Sequence, residues 1–357
     1  MRALGWVVVG FLSLAFTGGS GTLVPLPEHA PRQRQPVSGD PVIKLRLLVD
    51  EELVARHREQ LHAFLHEAVA VHNLEWRRLR REWFTISEVI VEPPAEGRDA
   101  LYLLVGLLHQ TVQEPGTVHV RISGQPLEIY SSGVSVRSIG GLAFRGSDVV
   151  VVSAAPGVTA DLLAYYLFHE IGHLWDAFDL PFGGGHSTFG TKKFATFDVD
   201  AGNSQIMEDS PGPRPRDTPL QAPAVIRAKL AAARAAVRDP AVYRRLHDLL
   251  LHEPSPVNPA YVAKREALLA AAGSERAAVA GLLDRFETRP QQTRANREVR
   301  RELAEQYWIA NDAIARGDLA TAETALATIE TLHAGQHGDT RVLISAVGKK
   351  VRRTARR

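Results

Sequence analysis

His169-Glu170-Ile171-Gly172-His173 sets two imidazoles four residues apart, with a carboxylate directly after the first. On an α-helix that separation puts both rings on one face, where their nitrogens can converge on one cation. Glu170 projects away from that face and cannot serve as a third ligand in the same way, but it can reach a water held on the metal. The chemistry this pattern supports is hydrolysis, with a metal polarising the scissile carbonyl and Glu170 as general base. A catalytic zinc needs a third protein ligand and one open position. The candidates are Asp179, His186, Asp198, Asp200 and Glu208. The bland alternative is a helix whose polar stripe carries two histidines by coincidence.

The neighbouring sequence argues against coincidence. Thr159 can cap a helix running from Ala160 to about Trp175, with Asp161 in its positive first turn. Asp148 is followed by four valines and Ser153, a strand apolar enough to sit inside a sheet. Upstream, strands are expected over 41–49, 85–92 and 117–123 from their alternation. Helices are expected after Asp50 and over 99–110. His62 and His66 are also four apart, but they lie beside charged residues on an amphipathic helix and read as a solvated face.

The stretch His169-Glu170-Ile171-Gly172-His173-Leu174-Trp175-Asp176-Ala177-Phe178-Asp179 resembles the metzincin family of zinc peptidases. That family's motif is His-Glu-x-x-His-x-x-Gly-x-x-His, with Asp last in snapalysin-like members. The resemblance puts Asp179 at the third-ligand position and Asp176 where the family has glycine. It also matches Asn203-Ser204-Gln205-Ile206-Met207 to the family's tight turn, with the Met207 thioether beneath the ligand imidazoles. It further implies one zinc ion, a closing helix over 219–230, and an extended peptide substrate paired with an edge strand near 141–145. A different, toxin-like zinc class tolerates Asp at 176 and takes its third ligand from a glutamate on a later helix. The proline-rich 210–219 segment argues against that class.

The rest of the chain bounds these readings. With 357 residues and a net charge of +2, it has room for two domains and no strong field toward nucleic acid. It has no cysteine, so disulfides, a lipoprotein anchor and a cysteine-switch propeptide are excluded. Arg2 followed by the apolar run 3–16 reads as a secretory signal over 1–21, giving a secreted or periplasmic protein. Residues 22–40 read as a linker, 41–239 as the zinc peptidase domain, and 240–357 as an all-helical domain. The expected fold class is α+β, a zincin-like twisted mixed sheet with an active-site helix. Residues 308–326 resemble one tetratricopeptide unit, and the basic end 349–357 reads as a solvated tail. Asp198-x-Asp200-x-Gly202-Asn203 carries oxygens of the kind a calcium ion takes, but it misses the helix-loop-helix spacing and reads as a plain polar loop. The expected partner is a peptide or protein substrate, with a further protein partner for the helical domain. The competing reading is a degenerate zincin that serves as an extracytoplasmic binding protein. An intact Glu170 favours the enzyme.

Overall fold

The computed structural model describes residues 22–24, 39–93, 98–131, 135–180, 187–190, 197–214, 231–250, 259–287, 294–333 and 338–357. The expected signal segment and the closing helix over 219–230 lie outside the described residues.

The molecule is mixed α+β, built on a six-stranded sheet. β1 (Thr22–Val24), β2 (Val42–Asp50), β3 (Trp83–Glu92), β4 (Thr117–Ser123), β7 (Gly141–Ala143) and β8 (Val149–Ser153) run in the order β1-β3-β2-β4-β8-β7. The four central strands are parallel, and β1 and β7 are antiparallel at the two edges. β1 falls at the start of the segment expected to be a linker, where Thr22, Leu23 and Val24 pair with Val91, Ile90 and Val89. A second pair, β5 (Leu127–Ser131) with β6 (Ser135–Ile139), forms an antiparallel ribbon that the sequence reading missed.

β8 shows why the sheet sits where it does. All five of its residues are buried, because alternate valines enter two different cores. Val150 and Val152 join Leu45, Leu47, Val118 and Val120 against α2 (Leu61–Trp76) and α4 (Ala160–Leu174). Val149 and Val151 face the other way, with Leu48, onto Leu103, Leu104 and Leu107 of α3 (Ala100–Gln110). Helices thus cover both faces.

The turn from β2 into α1 (Glu51–His57) rests on Asp50, whose carboxylate caps the helix at Leu53 N. The same carboxylate accepts from Gly124 N at 2.7 Å, which ties the ends of β2 and β4 together. The helix expected after Asp50 breaks at Arg58, whose φ is +47°, before α2 begins. On α2, His66 is buried and His62 half-buried, so the solvated-face reading of that pair does not hold.

Under α4, the rings of His72, Trp76, Phe84, Phe168 and Trp175 pack edge to face and stacked. α5 (Ala201–Asp209) occupies a stretch that the sequence reading left without periodicity.

The described C-terminal helices contribute to two cores. α6 (Pro240–Leu250), α7 (Pro259–Ala271) and α8 (Arg276–Glu287), with residues from Ala233, enclose a core of their own. α9 (Arg294–Arg316), α10 (Leu319–His333) and α11 (Gly338–Ala355) contribute Leu303, Tyr307, Ala310, Ala322 and Val347 to the same core as the sheet and α4. The Gly317-Asp318 turn, with Gly317 at φ +74°, joins α9 to α10 where the tetratricopeptide-like hairpin was expected. Among the described residues, no helix is long and apolar enough to cross a membrane.

Burial pushes the His72 imidazole down to about 3. A depressed histidine means that the unfolded chain binds more protons below its own pKa near 6.5, so stability is full above that pH and falls as pH drops toward 3. This group contributes at most about 5 kcal/mol of acid sensitivity. Denaturant unfolding of His72→Phe between pH 7 and pH 4 is expected to fall less steeply with acidification than that of wild type.

Candidate metal centre

α4 forms for the reasons read from sequence. Thr159 Oγ1 caps it by accepting from Leu162 N, and Asp161 lies in its first turn. Its apolar face, Leu163, Leu167, Phe168, Ile171 and Leu174, is buried in the main core. The opposite stripe carries His169 and His173, whose Nε2 atoms lie 3.2 Å apart.

The far side of each ring explains that short approach. His169 Nδ1 donates to Thr188 O at 2.8 Å, and His173 Nδ1 donates to Ala177 O at 2.9 Å. A carbonyl only accepts, so each Nδ1 carries the hydrogen, and a ring in its neutral form presents a lone pair at Nε2. Two lone pairs facing at 3.2 Å repel unless a proton or a metal ion is shared between them, and without metal the facing Glu170 and Asp179 favour a proton on His169. Backbone carbonyls holding Nδ1 are the usual outer support of metal-bound histidine.

Asp179 completes the set. Its Oδ1 is 3.3 Å from His169 Nε2 and 3.6 Å from His173 Nε2. A tetrahedral zinc ion with ligands about 2.0–2.1 Å away requires ligand separations of about 3.3 Å. The donor types and spacings therefore suit such an ion. Glu170 is buried, with Oε1 3.9 Å from His169 Nε2, so it stands beside the donor set. His169, Glu170 and His173 form the one His/Asp/Glu group among the described residues whose atoms cluster closely enough to hold a metal, and Asp179 adds to it.

The electrostatics match. Burial pushes the Glu170 carboxyl up and the His173 imidazole down. Burial also opposes charge on His169, but the facing Glu170 and Asp179 outweigh it and raise that imidazole. Crowding in the cleft opposes charge on Asp179, yet the two imidazoles hold its carboxyl below the usual range. The far side of Asp179 is open to solvent, its side chain being 71% exposed, and water softens this attraction.

The turn that delivers Asp179 uses Asp176 where glycine was the family residue. Asp176 adopts φ +67°. Its N–H donates to His173 O at 3.0 Å, and Ala177 N donates to Gly172 O at 3.1 Å, the paired bonds that end a helix with a left-handed residue. The Asp176 carboxylate is gripped by Arg214 Nη2 at 2.6 and 2.7 Å and by Ser210 Oγ at 3.0 Å. These bonds offset the cost of left-handed backbone at a residue with a Cβ.

The remaining candidates lie elsewhere. Asp200 caps α5 and binds Ser187, Asn203 and Tyr307, so its oxygens are occupied and the calcium reading gains no support. Glu208 pairs with Lys350 and Arg353, and Asp198 is solvent-exposed. His186 lies outside the described residues. Asn203–Met207 is the middle of α5 and not a tight turn; Met207 is fully buried in the main core. Among the described residues, the ring packed beside both imidazoles is Phe189, with centroids 5.2 and 5.5 Å from theirs. Phe189 approaches α4 so closely that a Cβ on Gly172 would meet it at 2.5 Å. Sequence reasoning missed Phe189 and Thr188. Thr188 serves the site through its carbonyl, which leaves no side-chain signature.

β7 passes directly over Glu170. A Cβ on Gly141 would meet Glu170 Cγ at 2.6 Å and Val151 O at 2.8 Å. β7 ends the sheet on this side, at the edge expected near 141–145. No protein-family model matches the chain, and no curated protein matches it by sequence.

Asp176→Ala is expected to destabilise by about 2 kcal/mol, from strained backbone plus the lost ion pair. Asp176→Gly should lie about 1 kcal/mol closer to wild type, since glycine takes the left-handed turn freely. Denaturant unfolding of both variants measures that order.

Proposed function

We propose that this protein is an exported zinc endopeptidase of the metzincin kind. The observation that carries the reading is the convergence of His169 Nε2, His173 Nε2 and Asp179 Oδ1 at separations of 3.2–3.6 Å, with both Nδ1 atoms locked by carbonyls. Glu170 beside that set, the mixed sheet with its antiparallel edge strand, and the left-handed helix end at Asp176 support it further.

In this reading His169, His173 and Asp179 hold the ion. A bound zinc ion supplies a Lewis acid for the substrate carbonyl and brings the pKa of water toward neutrality. Glu170 takes a proton at a carboxylate oxygen from the attacking water and passes it to the leaving amine. β7 offers its outer edge to an extended peptide, and main-chain pairing would align the scissile bond beside Glu170. The absence of a Cβ at Gly141 lets that edge sit against the Glu170 side chain.

Glu170→Gln is expected to keep zinc and to cleave a peptide library about 10²–10⁴-fold more slowly than wild type. Asp179→Ala should weaken zinc binding by at least about 100-fold, read by chelator competition. Wild type without zinc, or Glu170→Gln cleaving at the wild-type rate, would sink the enzyme reading. Gly141→Ala should retain zinc and lose at least about 10-fold in cleavage, because its methyl must displace Glu170 or the strand.

A further inference from the structure

The C-terminal helices reach the metal centre through one buried polar chain. Tyr307 on α9 is fully buried, and its hydroxyl donates to Asp200 Oδ1 at 2.7 Å. Burial and the Asp200 charge push that hydroxyl's pKa well up, so it stays protonated and keeps donating. Asp200 then branches. Its Oδ2 accepts from Ser187 Oγ at 2.7 Å, one residue before Thr188, whose carbonyl holds His169 Nδ1. Its carboxylate also accepts from Asn203 N at 3.0 Å and from Asn203 Nδ2 at 2.9 Å. Asn203 in turn clamps Phe178, accepting from its N–H at 2.8 Å and donating to its carbonyl at 3.0 Å. Phe178 lies between Ala177, whose carbonyl holds His173 Nδ1, and Asp179.

A second tether runs beside this one. Asn311 Oδ1 accepts from Ala201 N at 2.8 Å, while Asn311 Nδ2 donates to Tyr307 O at 3.0 Å. Gly202 makes room for the contact, since a Cβ there would meet the Tyr307 hydroxyl at 2.5 Å. Tyr307, Asp200, Ser187, Asn203, Phe178 and Asn311 are all buried, so a bond lost among them would leave a polar group without water to replace it.

We infer that Tyr307 and Asn311 are positioning residues for the metal centre, so that the C-terminal hairpin is a working part of the site and not a separate accessory domain. The inference rests on the metal reading above for its effect on zinc, and on the hydrogen-bond chain alone for its effect on the two loops. The packing shows the same division: α9 shares the core of the sheet, while α6–α8 enclose their own.

The test uses the full chain. In Tyr307→Phe and Asn311→Ala, amide exchange at Phe178 and Thr188 should rise at least about 10-fold while amides of α2 stay protected. Zinc affinity by chelator competition should fall about 10–100-fold. Leu268→Ala, in the separate helical core, serves as a control for general loss of stability and should change neither readout. Wild-type exchange at Phe178 and Thr188 in Tyr307→Phe overturns the inference, as does an equal change in Leu268→Ala. If Tyr307→Phe fails to fold, Asn311→Ala decides by the same two outcomes. If wild type takes no zinc but the exchange change persists, the enzyme reading fails and the anchoring of the two loops stands.

Discussion

Two hydrogen bonds from imidazole to backbone organise this molecule. By donating Nδ1–H to Thr188 O and Ala177 O, His169 and His173 are forced to turn their Nε2 atoms toward each other across 3.2 Å. Neither ring could be held so by its helix alone, since a histidine on α4 has several rotamers open to it. The carbonyls select one. Whatever holds residues 177 and 188 therefore sets the geometry of the donor set.

Most of the surrounding structure bears on those two peptides. The left-handed residue at 176 turns the chain back so that the Ala177 carbonyl returns to the helix it has just left. Arg214 and Ser210 secure that turn from one side, and Asn203 secures Phe178 from the other. Leu180 N donates to Phe189 O at 2.8 Å, joining the segment that carries Asp179 to the one that carries Thr188. Phe189 then fills the space between both imidazoles and Gly172. Sheet and helix meet the same demand from above, where β7 has no side chain at 141 and so lies against Glu170.

Much of this was legible in the sequence. The capped helix over 160–174, the all-apolar strand after Asp148 and the strand–helix alternation before it follow from local pattern, and the structure has them with ends shifted by a residue or two. An edge strand, expected near 141–145, occupies Gly141–Ala143 and runs antiparallel to its neighbour. The outcome at Asp176 is the more informative case: a residue with a Cβ stands at a left-handed position because its carboxylate has partners 34 and 38 residues away. α5 was illegible for a related reason. Its Gly202, Asn203 and Ser204 are poor helix formers, and contacts of the segment with Tyr307, Asn311 and Phe178 outweigh that propensity.

The sequence by itself determined the identity and helical phase of His169, Glu170 and His173, because four residues on an α-helix span close to one turn whatever surrounds it. It also determined that Asp179 lies one short turn beyond. The resemblance singled out Asp179 among the later acids, and the tertiary structure brings it, and not Asp198, Asp200 or Glu208, to the two imidazoles. Tertiary structure alone decided that Asp200, read as a loop oxygen, is a buried hub between α9 and the ligand-bearing loops. The physical reason is that such partners are chosen by burial and by backbone carbonyls, which carry no side-chain pattern for a sequence to display.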